Sequence, residues 1–359
     1  MISSGSIKKV IKVLLKIILG IIIFLVVLSI ITAVAYRINP DAVDNVIGPM
    51  RNFPYYPDKM VDTIRFFPDY NPFAKHLEDN APDVSQANAL VQYQHNLSQN
   101  SMVVNMELPF AGNVKRSVFV YLPKGYDPSN AKDRYPVIYM LHGSPGRASD
   151  WLNVGGAKQT LDDKISNNQI MPVIAVFPDG SGGANRDTEF INSADGQQPN
   201  EDFLVKTVVD YIDSHFNTIA QPEYRAIGGL SAGGYGALNL GLKHQDIFGY
   251  ILCLSGYGTI QITSLTAQYI QGSQEIIKDN SPMDYISTLS TKTTKVLLIS
   301  DNLPGPFHLG ESQKILNLLQ SNGFQADLEI FEGKHTWEFW KKHLPDGMDW
   351  LGGFWKPSG

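Results

Sequence analysis

Five residues, Gly229-Leu230-Ser231-Ala232-Gly233, form a pattern whose chemistry is nucleophilic. A serine hydroxyl attacks a carbonyl well only when the backbone holds it out and a base stands beside it. Glycines two residues to either side permit the sharp turn this needs, because a side chain at either place would strike neighbouring backbone. Ser231 is the candidate nucleophile, and the N–H of Ala232 a candidate donor to the oxyanion of a tetrahedral intermediate. A second donor belongs in His142-Gly143-Ser144-Pro145-Gly146, which follows an apolar run. Pro145 has no N–H, which leaves that of Ser144. Two other readings fit the five residues alone: a turn packing a helix tightly on a strand, or a phosphate site at a helix N-terminus. The second lacks the lysine of a P-loop and the spacing of a dinucleotide fingerprint.

A base must reach Ser231, and an acid must orient the base. Where a serine of this type sits between a strand and a helix, its partners follow in the order acid, then histidine. His335, in Gly333-Lys334-His335-Thr336-Trp337 after the last strand-like run, is the candidate base, with His308 and His343 as competitors. Asp301, directly after the apolar run 295–300, is the first candidate acid. Glu311, in the same connection, is the alternative, although an acidic residue in a helix's first turn is also favoured by the helix dipole.

The elements that must position these residues are legible as alternating runs. Strands are predicted over 102–108, 117–123, 136–141, 173–177, 224–228, 250–254, 295–300 and 328–331, and helices over 202–216, 232–244, 311–322 and 337–343. Several strands are apolar throughout, as expected where both faces of a sheet are covered. The reading is an α/β-hydrolase fold with a mostly parallel central sheet and helices on both faces, preceded by one N-terminal transmembrane helix.

That last element rests on residues 17–35, an uncharged apolar run preceded by Lys8, Lys9, Lys12 and Lys16. Its length suits a bilayer crossing, and lysines before it favour a cytoplasmic N-terminus. The expected organisation is a signal anchor at 1–37, a proline- and aromatic-rich stem at 38–100 and a catalytic domain at 101–359. The catalytic domain then lies on the extracytoplasmic side of the cell membrane. The competing reading is a cleaved signal peptide and a secreted enzyme, because Ala33-Val34-Ala35 fits the small-x-small cleavage pattern. A net charge of −6 without a basic tract beyond the N-terminus argues against a nucleic-acid partner. The single cysteine, Cys253, allows no internal disulfide and reads as a small core residue.

With these motifs in place, the sequence resembles the esterase-D-like family of α/β-hydrolases, which includes feruloyl esterases, S-formylglutathione hydrolases and mycolyltransferases. The resemblance is carried by Tyr139-Met140-Leu141-His142-Gly143, Val176-Phe177-Pro178-Asp179-Gly180, residues 229–238, Leu254-Ser255-Gly256 and residues 333–340. It implies acyl transfer through an acyl-serine with no cofactor, on a small-molecule, lipid or sugar ester. Many members carry Gly-x-x-Asp after the acid-bearing strand; here the text is Ser300-Asp301-Asn302-Leu303-Pro304, so the acid is the departure from the pattern. Asp179, Asn185 and Asp187 lack the spacing of a calcium loop, and no metal is expected. The function expected is hydrolysis of a carboxylic ester. The alternatives are acyl transfer to a sugar or lipid alcohol of the envelope, a serine peptidase, and a non-catalytic envelope protein that keeps the fold.

Overall fold

The computed structural model describes residues 81–85, 89–180, 187–263, 266–305 and 308–356. The expected anchor at 1–37, its membrane contact at 17–35 and most of the stem lie outside the described residues. Among the described residues no helix is long and apolar enough to cross a membrane.

Eight strands form one sheet in the order β1-β2-β4-β3-β5-β6-β7-β8. They are β1 (Met102–Ala111), β2 (Val114–Leu122), β3 (Val137–Leu141), β4 (Ile174–Pro178), β5 (Arg225–Leu230), β6 (Tyr250–Leu254), β7 (Lys295–Asp301) and β8 (Ala326–Phe331). β1 pairs antiparallel with β2, and β2 antiparallel with β4; every later pairing is parallel. The apolar runs explain this layout. Successive side chains of a strand point to opposite faces, so a strand that is apolar throughout needs cover on both. In β3, Val137, Tyr139 and Leu141 enter one core while Ile138 and Met140 enter the other.

Five helices frame the site: α1 (Ala157–Ser166), α2 (Val209–His215), α3 (Ala232–Lys243), α4 (Leu309–Ser321) and α5 (Trp337–Gly352). Residues of α2, α3 and α4 share the first core, and those of α1 and α5 the second. Parallel strands end together at one edge of such a sheet. Ser231, the His142 loop, Asp301 and the turn after β8 all leave from that edge, where ligands bind in open α/β sheets.

Three local departures have physical causes. The helix predicted over 202–216 is interrupted by a π-helical turn, Phe203–Val208, which buries Phe203, Leu204 and Val205 in succession. The last helix runs on past His343 and through Pro345 to Gly352, although an interior proline costs about 3 kcal/mol. Burial of Leu344, Met348 and Leu351 under the sheet offsets that cost. The packed unit also begins earlier than residue 101. Val84, Leu90 and Leu97 are buried in the first core, and Asp83 bridges to Asn105 on β1. The stem boundary at 100 therefore falls inside the folded unit, because these three apolar side chains are spaced six and seven residues apart in polar text and form no periodic run.

Candidate active site

The chain turns sharply at Ser231, between β5 and α3, with φ 53° and ψ −120°. An L-residue is strained there, and the turn is held on both sides. Ser231 N–H donates to Leu254 O, and Tyr235 N–H to Ser231 O, each at 2.9 Å. The flanking glycines are required by backbone, not by side chains. A Cβ on Gly229 would lie 2.3 Å from Gly233 O, and a Cβ on Gly233 would lie 2.4 Å from both Leu141 O and His142 O. β3, β5 and α3 thus converge without room for a methyl group.

His335 lies in the short loop between β8 and α5, and its Nε2 is 2.9 Å from Ser231 Oγ. The Trp340 ring stands edge-on to it at 4.8 Å, and Trp340 Nε1–H donates to Ser255 Oγ at 3.1 Å. Ser255 itself has φ 48°. A neutral His335 accepting the Ser231 hydroxyl at Nε2 carries its proton on Nδ1, the tautomer a general base needs.

Asp301 ends β7 and is fully buried, but its carboxylate bonds His308, not His335: His308 Nδ1 lies 2.8 and 2.9 Å from the two oxygens. Leu303 N–H donates to the same carboxylate at 3.0 Å. The His308 ring is then edge-on to His335, with centroids 6.1 Å apart. Glu311 is engaged elsewhere. Its Oε1 accepts the N–H of Gly258 at 3.2 Å, and Lys314 is its ion-pair partner. His343 is buried on α5, bonded through Nδ1 to Asp346 and stacked on Phe331.

The loop after β3 passes beside the nucleophile. A Cβ on Gly143 would come within 3.6 Å of Ser231 Cβ, so Ser144 follows one residue beyond the serine. His142 braces the loop: its Nδ1 is 2.8 Å from Gly143 O, and its Nε2 receives the N–H of Gly180 at 3.2 Å. The N–H of Ala232 opens α3, where helix donors have no partner within the helix.

Behind this loop lies a buried acid pair that carried no motif. Glu189, with φ 49°, places both carboxyl oxygens 2.7 Å from Tyr257 OH. Burial, and then the nearby Asp187, hold its pKa well above the ordinary carboxylate range. Asp187 is also raised, by burial, against the opposing hydrogen bond from Ser144. Nothing in the spacing of residues 187–189 signalled this pair. The Asn185 named with Asp179 and Asp187 lies outside the described residues, and Asp187 itself faces Ser144.

Strand order, strained serine and facing histidine define an α/β-hydrolase. The sequence profile of the family described as "Putative esterase" matches residues 111–351. The chain belongs to this family, and that membership places it among enzymes acting on carboxylic esters. An acetyl esterase of Caldicellulosiruptor saccharolyticus is 27% identical over 245 residues, covering 64% of this chain and 86% of that protein. An endo-1,4-beta-xylanase/feruloyl esterase of Xylanibacter ruminicola is 34% identical over 231 residues, 63% of this chain but 28% of that polypeptide. Among solved structures, a ferulic acid esterase superposes with a TM-score of 0.62 at 23% identity, covering 71% of this chain and 98% of the other.

Proposed function

We propose that this protein is a serine carboxylic-ester hydrolase that works through an acyl-Ser231 intermediate. The observation that carries the proposal is the 2.9 Å contact between Ser231 Oγ and His335 Nε2 at a strained elbow. In the first half-reaction Oγ bonds to the acyl carbon while its proton passes to His335 Nε2. The N–H groups of Ala232 and Ser144 receive the oxyanion, each contributing about 3 kcal/mol to the transition state. Collapse of the intermediate breaks the ester C–O bond, and His335 returns the proton to the departing alcohol. Water then bonds to the acyl carbon as one of its protons passes to His335 Nε2; the acyl–Oγ bond breaks, His335 returns that proton to Ser231 Oγ, and the free acid leaves. Asp301 supplies the negative charge of the acid corner. The acetyl and feruloyl esterases among its relatives support a small or aromatic carboxylic acyl group.

The lysine-flanked apolar run 17–35 supports an anchored enzyme with its site on the extracytoplasmic side. Mass spectrometry of the mature N-terminus tests this; a start at Tyr36 would discard the anchor. The catalytic reading is tested by a fluorophosphonate probe. Wild type is expected to be labelled and to hydrolyse p-nitrophenyl acetate, and Ser231→Ala to do neither. A wild type that stays unlabelled would refute it. Product analysis with added sugar alcohols separates hydrolysis from acyl transfer, since an acyl-sugar product in place of free acid would reassign the acceptor.

A further inference from the structure

The corner behind His335 holds two side chains where a triad needs one. Asp301 is fully buried, and its two oxygens lie 2.8 and 2.9 Å from a single atom, His308 Nδ1. That contact fixes the His308 tautomer, with the ring proton on Nδ1 and donated to the carboxylate. The ring stands at 87° to that of His335, with centroids 6.1 Å apart, and His335 contacts Ser231 at 2.9 Å. Side chains from the end of β7, the residue that precedes α4 and the turn after β8 thus contact one another in succession up to the nucleophile.

We propose that Asp301 acts on His335 through His308, so that Asp301 and His308 form one positioning unit for the base. The proposal rests on the Ser231–His335 reading above. When Ser231 Oγ bonds to the acyl carbon, its proton moves to His335 Nε2 and the ring becomes an imidazolium. No proton leaves His308 or Asp301. His308 keeps its Nδ1–H on the carboxylate, so the buried Asp301 side chain stays fixed on the side of the new positive ring. His308 also covers a carboxylate that would otherwise turn to water, and its ring sets the edge against which His335 rests. The nearby Glu311 does not share this task, being held by Gly258 N–H and Lys314.

The test uses full-length His308→Ala, His308→Asn, Asp301→Asn and the double variant Asp301→Asn/His308→Ala, with kcat and KM measured on p-nitrophenyl acetate and Tm measured alongside. His308→Ala is expected to lower kcat about ten-fold and to change KM less than about two-fold. That is the order expected when a nearby charge acting at an effective dielectric of about 20 becomes screened by water. His308→Asn, whose amide N–H donates to Asp301, is expected to recover most of the rate. The double variant is expected to be no slower than the slower single variant, because both changes disable one unit. Wild-type kcat in His308→Ala, a change confined to KM, or losses that multiply in the double variant would each overturn the proposal. Should alanine fail to fold there, His308→Ser also opens the space to water and carries the same expectation. Absence of fluorophosphonate labelling in wild type would instead show that the Ser231 reading itself had failed.

Discussion

The backbone of Ser231 makes a prediction in which stability and activity part company. Its φ of 53° and ψ of −120° suit an L-residue poorly, and such conformations cost of order 1–3 kcal/mol. Alanine keeps the Cβ and therefore the strain, whereas glycine relieves it. Glycine also widens the unfolded ensemble, which takes back about 0.4–1 kcal/mol. Both variants lose the hydrogen bond to His335 equally, so it cancels between them. Ser231→Gly is thus expected to be more stable than Ser231→Ala by about 1 kcal/mol. In a domain of this size that is about 2 °C in Tm. Calorimetry of the two purified variants under one buffer reads the difference, and a fluorophosphonate probe confirms that both are inert. A Ser231→Gly protein melting at or below Ser231→Ala would refute the claim that the elbow stores strain at the nucleophile.

Gly233→Ala should lose activity and at least about 1–3 kcal/mol of stability, since its methyl group must displace the carbonyls of Leu141 and His142; an active, stable variant on p-nitrophenyl acetate and in urea would contradict the packing. Glu189 holds its proton in the folded state well above the unfolded titration near pH 4.3. As pH rises past that value the unfolded chain ionises while the folded one does not, so the wild type loses stability by up to about 1.4 kcal/mol per pH unit until the folded group titrates. Glu189→Gln removes that slope, and its stability relative to wild type should increase between pH 5 and 7 in urea titrations; a constant difference would show that Glu189 ionises normally. Cys253, buried and with its thiol pushed up to about 12, should resist iodoacetamide until the protein unfolds; rapid native alkylation would place it at the surface.

Much of this protein was legible because the informative signals are local or ordinal. Apolar runs such as 137–141 and 250–254 announce strands covered on both faces, since nothing else shelters so many consecutive apolar side chains. The glycines around Ser231 announce the elbow, since only backbone without Cβ passes there. His335 could be picked from three histidines by its place after the last strand, although 104 residues separate it from the serine it meets.

What the sequence left open depends on how chain segments cross in space. Asp301 stands at the end of β7, but its side-chain partner is His308, seven residues on, a contact that spacing alone does not announce. Glu311 carries the same charge and lies ten residues on, yet the loop after β6 presents Gly258 N–H to it first. Propensity ended the last helix too early because burial under the sheet outweighs one proline. Glu189 and Tyr257 pair across 68 residues with no motif at either end. Composition and spacing state which groups are present and in what order; only the packed sheet edge decides which of them touch, because a hydrogen bond is a property of two positions in space.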